Sequence, residues 1–239
     1  MTDVTQVEAL LFDVFGTVVD WRSSISRELE AWGTSRGHTF DWDALADEWR
    51  GLYQPAMEQI RSGRRPWTIL DVLHRENLDI ILSRHGLDDL SEEEKDHLTR
   101  AWHRLTPWPD TVAGLTRLKQ KYIIGTLSNG NVGLMTRLAK NAKLPWDVIL
   151  GAEIARAYKP QPEAYRRSAE ILGLPRHKVM LVAAHSSDLA AARAEGLATA
   201  FVARPNEFGP SKQADTAEIG DWDVVTDSFI SLADTLGCR

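Results

Sequence analysis

The chain has 239 residues with a formal charge of −6, room for one large domain or two modest ones, and 28 basic against 34 acidic residues leave no basic footprint for nucleic acid. One cysteine, Cys238, excludes an internal disulfide framework and suits a reducing compartment, and no apolar run reaches the ~20 residues of a membrane span. The stretch Met1-Thr2-Asp3-Val4-Thr5-Gln6 lacks the basic and long apolar regions of a signal peptide, so a cytoplasmic protein is expected.

The first element is the run Leu10-Leu11-Phe12-Asp13-Val14-Phe15-Gly16-Thr17-Val18-Val19-Asp20. It reads as a buried strand whose carboxyl end delivers Asp13 into a loop, with Gly16 freeing the backbone to turn. From residue 20 to 106 the pattern is helical with no convincing strand. A helix is expected over 23–32, with Ile25, Leu29 and Trp32 on one face, broken by Gly33 and Gly37. Asp41 or Asp43 caps the next, whose stripe Leu45, Trp49, Leu52, Tyr53, Ala56 and Ile60 makes one helix kinked at Pro55. Another helix spans 68–84. Ser91 with Glu94 forms a capping box for a helix running through Leu105, ended by Pro107 and Pro109.

Beyond residue 107 strands and helices alternate. Strands are expected at 122–127, 148–150, 179–184, 199–203 and 224–225, and helices at 132–141, 162–173, 188–195 and 228–236. Alternation of this kind requires a parallel sheet covered on both faces. The expected fold is therefore α/β: a doubly wound, Rossmann-like parallel-sheet core (1–19 and 107–239) carrying an inserted α-helical cap (20–106).

Ligands bind outside the carboxyl ends of the strands in such sheets. There the sequence puts Asp13 after the first strand, Ser128 and Asn129 after the second, Lys159 after the third, and His185 and Asp188 after the fourth. Each has a plain structural explanation: Ser128 and Asn129 as helix caps, Lys159 as a solvated lysine, Asp188 as a first-turn acid. Together they place two carboxylates, a lysine and a Ser-Asn pair at one sheet edge. A buried pair of like-charged aspartates needs a cation between them, and Lys159 can be that cation without a metal.

This set, in this order and with a helical insertion after the first member, resembles the haloacid dehalogenase superfamily over nearly the whole chain. Phosphatases of the superfamily carry Asp-x-Asp at the first motif, where the second acid protonates the leaving alcohol, and paired acids at the fourth to hold magnesium. Here Phe15 stands at the first of those places, and Ala183-Ala184-His185-Ser186-Ser187 precede a single Asp188. Both departures point to the 2-haloacid dehalogenase branch, as do Trp49-Arg50 and Arg65-Pro66-Trp67…Leu70-Asp71-Val72-Leu73-His74.

The resemblance implies hydrolysis of short (S)-2-haloacids to 2-hydroxy acids and halide, with inversion at C2 and no cofactor or metal. Asp13 would be the nucleophile, held by Thr17. Arg50 and Asn129 would cradle the halide, which leaves unprotonated and needs no acid at position 15. Ser128 and backbone N–H groups of Val14 and Phe15 would hold the substrate carboxylate. Asp188 would activate water, with Lys159 arranging the charges. Tyr165 falls where the family has a tyrosine or simply packs its helix. Trp67, Tyr53 and Met57 line the cap side of the pocket or belong to the core. The family's fourth motif resembles Ser-Ser-Asn before the last aspartate. His185 replaces that asparagine, either orienting Asp188 or the water or serving as a structural histidine. Dimers are common in this branch, and exposed cap tryptophans would serve a homodimer. The rival readings are a magnesium phosphatase of a small metabolite and a non-catalytic binding protein of the same fold.

Overall fold

The structure, a computed structural model, describes residues 3–87, 89–216 and 220–239. Its strands are β1 (Ala9–Phe12), β2 (Val19–Asp20), β3 (Thr106–Pro107), β4 (Ile123–Ser128), β5 (Val148–Gly151), β6 (Val179–Ala183), β7 (Ala198–Val202) and β8 (Val224–Thr226). Six of them form one parallel sheet in the order β5-β4-β1-β6-β7-β8. β1 lies between β4 and β6, with Leu11 level with Gly125 on one side and Leu181 on the other. Every residue of β1, β6 and β7 is buried, as expected of parallel strands covered on both faces.

The covering helices follow from the alternation of side chains across the sheet. Leu10 and Phe12 face α6 (Thr111–Leu118), α7 (Val132–Ala142) and α11 (Phe229–Thr235). Ala9 and Leu11 face α9 (Pro162–Ile171) and α10 (Ser186–Ala194). The chain is doubly wound, as its pattern predicts.

Between β2 and β3 lie α1 (Trp21–Ser35), α2 (Trp42–Gly51), α3 (Tyr53–Arg61), α4 (Leu70–Arg84) and α5 (Glu92–Thr99). The two passages into this helical segment are tied as an antiparallel ribbon, Val19 against Pro107 and Asp20 against Thr106. Its core is continuous with one sheet face: Val14, Phe15, Val18 and Val19 run into Trp21, Trp49 and Trp102. The tryptophans expected on a dimer surface are therefore not exposed. Trp21, Trp49 and Trp102 are buried and Trp32, Trp42 and Trp67 half-buried.

Several boundaries differ from the sequence reading. α1 starts at Trp21 because Asp20 accepts from Ser23 N, and it runs through Gly33. Gly33 has no side chain there because the Trp42 ring takes its place. Asp41 is the residue that caps α2, accepting from Ala44 N. The single kinked helix is two helices parted at Leu52, and Pro55 sits in the first turn of α3, where its missing N–H costs nothing. The capping box at Ser91 and Glu94 forms, but the helix it starts gives way after Thr99 to a 3₁₀ turn, Arg100–His103. Two helices escape the pattern. One is α6, whose Gly114 lets it press against the Phe229 backbone. The other is the single turn α8 (Ala152–Ala155), which leads into the Lys159 loop. Among the described residues no helix is long and apolar enough to cross a membrane.

Candidate active site

The pairing of β1 with β6 extends one residue past the strand, Asp13 N donating to Val182 O at 3.0 Å. The loop then folds back on itself. Val18 N and Val19 N both reach Val14 O, Gly16 N reaches Val19 O, and Gly16 takes φ +91°. This return brings Thr17 under the carboxylate. Thr17 Oγ1 accepts from Ala184 N (2.9 Å), so its one proton is free for Asp13 Oδ2 (2.8 Å).

The ends of the neighbouring strands complete the cluster. Asn129 follows β4, and its Oδ1 accepts from Lys159 N at 2.8 Å, fixing the lysine loop. Lys159 Nζ donates to Asp13 Oδ1 at 2.8 Å and to Asp188 Oδ2. Asp188 Oδ1 accepts from Tyr165 Oη at 2.6 Å. His185 precedes α10, with Nδ1 at 3.0 Å from Asp13 Oδ2 and Nε2 at 2.9 Å from Glu207 Oε2.

These neighbours divide the two aspartates. Burial would raise Asp13, but Lys159 and His185 hold it well below the usual carboxylate range. Asp188 is pushed up, first by burial and then by the charge on Asp13, against the pull of Lys159. Lys159 itself is buried, yet the two carboxylates raise it above an ordinary lysine. The cluster thus holds an ionised aspartate beside a more basic one, with an ammonium filling the gap between them. The Tyr165 phenol is raised by burial and by Asp188, so it stays a donor.

A cleft of about 720 Å³ opens over Asp13, Asn129, Lys159 and Asp188. Phe15, Trp21, Arg50 and Tyr53 roof it. The Arg50 guanidinium lies 4.0 Å from the Tyr53 ring centre, 5.3 Å from Trp21 and 5.7 Å from Phe15. Its Nη1 is buried with no hydrogen-bond partner among the described residues. A desolvated cation caged by aromatic faces, with a donor unspent, is suited to an anion.

Most of the residues singled out in the sequence meet here: Asp13, Phe15, Thr17, Arg50, Asn129, Lys159, Tyr165, His185 and Asp188. Val14 is fully buried and does not line the cleft, its carbonyl taken by Val18 N and Val19 N within the loop. Ser128 is also fully buried, its Oγ accepting from Gly130 N at 3.1 Å, and it does not line the cleft as the sequence reading expected. Met57 belongs to the core. Trp67 lies elsewhere, because its ring packs at a tilt against Tyr158, centroids 4.8 Å apart, while Tyr158 Oη donates to Thr68 O. Glu207 was not anticipated. It lies in the loop after β7, and an acid in Arg204-Pro205-Asn206-Glu207-Phe208 carries no local mark of a site. The substitution of His185 for an asparagine was the available hint, since an imidazole held at both nitrogens needs a second partner.

A family model described as haloacid dehalogenase-like hydrolase matches residues 7–196. The (S)-2-haloacid dehalogenase 4A of Burkholderia cepacia is 30% identical over 220 residues, covering 87% of this chain and 90% of its own. Among solved structures, the chain is similar to a defluorinating L-2-haloacid dehalogenase, with TM-score 0.94 and 50% identity over 99% of this chain and 98% of that one. A second L-2-haloacid dehalogenase gives TM-score 0.91 and 46% identity over 96% and 99%.

Proposed function

The chain belongs to the haloacid dehalogenase-like hydrolases, and from that membership we propose that it is an (S)-2-haloacid dehalogenase, hydrolysing short 2-haloalkanoic acids to 2-hydroxy acids and halide. The observation that carries this reading is the buried trio Asp13–Lys159–Asp188 beneath the aromatic-caged, unspent guanidinium of Arg50. The relatives named above, (S)- and L-2-haloacid dehalogenases, support it. Phe15 supports it against a phosphatase, because it puts an apolar ring where a leaving alcohol would need an acid.

In this reading residues 20–106 act as a cap that brings Arg50 and Tyr53 over the core residues 1–19 and 107–239. Asp13 attacks C2 in line and displaces halide, forming an ester with inversion at carbon. Arg50, with Asn129, meets the charge that moves onto the halide. Water then adds to the ester carbonyl carbon and gives its proton to Asp188, which its surroundings make the stronger base. The bond between the Asp13 carboxyl carbon and the alkoxide oxygen breaks, the alkoxide takes a proton from Lys159, and Asp188 returns to Lys159 the proton it took from water. The second water proton, left on the Asp13 carboxyl, goes to solvent, so Asp13 is ionised again and each turnover releases one proton with the halide. The charge balance of the chain and its single cysteine fit a cytoplasmic setting.

Halide release and chiral product analysis on the two enantiomers of 2-chloropropionate test the reading, with fluoroacetate added because one similar enzyme is defluorinating. The expected result is chloride from the (S) enantiomer only, with (R)-lactate as product. A protein that releases no halide but hydrolyses a phosphate monoester with magnesium is a phosphatase instead.

A further inference from the structure

The reaction as described leaves unused a buried ionisable pair that touches Asp13. The two carboxylate oxygens of Glu207 lie 3.0 and 2.9 Å from His185 Nε2, and Glu207 is only 2% exposed. Glu207 Oε1 also accepts from Trp21 Nε1 at 3.2 Å. Its place is made by Gly16, where a Cβ would overlap the Glu207 carboxylate. The glycine of the nucleophile loop is thus required twice, by its φ of +91° and by the acid seated against it. An imidazole between two carboxylates donates at both nitrogens. Burial opposes its charge, but Glu207 and Asp13 together raise His185 to about 10, so it is an imidazolium at neutral pH.

The oxygens of Asp13 are not equivalent. Oδ2 receives both Thr17 Oγ1 and His185 Nδ1, which takes up its two lone pairs, whereas Oδ1 receives Lys159 Nζ. Oδ1 therefore keeps a lone pair for attack, and Oδ2 becomes the carbonyl oxygen of the ester. Resting on the dehalogenase reading above, we propose that His185 is the charged oxyanion donor of ester hydrolysis and that Glu207 is the positioning residue that holds it. When water adds to Cγ, the carbonyl pair moves onto Oδ2, between Thr17 Oγ1 and His185 Nδ1, and the water proton goes to Asp188. On collapse that pair returns, the Cγ–Oδ1 bond breaks, and Oδ1 leaves with the product, protonated from Lys159. Charge grows on Oδ2 in this half of the reaction and not in the displacement of halide. A preorganised donor aimed at that oxygen speeds hydrolysis of the ester selectively.

The test is rapid-quench kinetics on (S)-2-chloropropionate, following chloride against time and the mass of the intact protein. Glu207→Gln keeps the shape but not the charge. It should lower kcat by about 10²–10³, the cost of a lost oxyanion donor, while releasing a burst of one chloride per site at the wild-type rate. The ester should accumulate as added mass on the protein. The double variant His185→Asn with Glu207→Gln removes the pair without leaving a lone buried charge. It should show the same partition, and it carries the test if the single variant does not fold. A wild-type kcat in Glu207→Gln overturns the proposal. So does a loss in which burst and turnover fall together with no ester trapped. Those failures leave wild-type turnover intact. A wild type that releases no halide defeats the dehalogenase reading, and this proposal with it.

Discussion

Two aspartates in one cluster are given different affinities for a proton by what touches them. Asp13 has Lys159, Thr17 and His185 as donors and stays ionised, as the proposed nucleophile must be. Asp188 shares the same lysine but has Tyr165 as its other partner, and it is held as the more basic of the two. Groups whose surroundings push their affinities for a proton apart are how one site supplies both nucleophile and base. Arg50 is the residue whose role depends most on the reading. If it meets the departing halide, Arg50→Ala should lower kcat by about 10²–10³, because the charge it meets is largest in the transition state. Arg50→Lys should recover part of this, since an ammonium reproduces neither the planar fork nor the stacking on Tyr53. Steady-state kinetics on (S)-2-chloropropionate reads both, and a variant within a factor of about two of wild type takes Arg50 out of the site. Asp13 was legible because it directly ends a run of apolar strand residues, and Lys159 and Asp188 because each lies in the segment that follows a later strand. Glu207 was not, because its partner His185 and its seat at Gly16 come together only through the fold.

At the level of elements, the loop after β1 is held by the loop after β7. Arg204 Nε donates to Thr17 O at 2.8 Å, and its two Nη atoms take both oxygens of Asp110 at 2.9 and 3.0 Å. Asp110 in turn accepts from Phe229 N at the start of α11. One buried guanidinium thus joins the loop after β1, the entry to α6 and the start of α11. Arg204→Ala leaves the Asp110 charge poorly paired and should cost about 3–5 kcal/mol, the usual loss on breaking a buried ion pair. Arg204→Lys should recover part of it, as a single ammonium cannot satisfy both oxygens and the Thr17 carbonyl. Urea denaturation measures both, and a loss for Arg204→Ala below about 1 kcal/mol, the surface-pair range, would contradict this assignment. Elements with a clean period were legible: all six strands of the sheet and the capping box at Ser91. α6 was not, because Pro107 and Pro109 were read as the end of the preceding helix and the stretch after them, with Gly114 packed closely against Phe229, was given no element. The break at Leu52 was placed three residues late, since a proline in a first turn is tolerated and does not locate a kink.

Over the whole molecule, the strand order decides which residues can meet. β1 lies between β4 and β6, so the carboxyl ends of these three strands are neighbours and carry Asp13, Asn129 and the pair His185 and Asp188 to one place. Lys159 arrives from the loop after β5, the outer neighbour of β4. The helical segment is joined to this edge by shared aromatic packing: Phe15 meets Trp102 at 5.8 Å and Tyr53 at 6.4 Å, and Trp21 stacks on Trp102. Composition announced the tryptophans but not their burial, which depends on α1 to α5 closing over Phe15. The dehalogenase reading requires covalent catalysis by Asp13 at the edge so assembled. It is tested by one turnover of (S)-2-chloropropionate in oxygen-18 water with enzyme in excess, followed by mass spectrometry of the product and of the Asp13 peptide. Covalent catalysis puts one heavy oxygen in the Asp13 peptide and none in the lactate, whose new oxygen comes from Asp13. Heavy oxygen in the lactate with an unlabelled peptide would mean that water attacks C2 directly, and would contradict it.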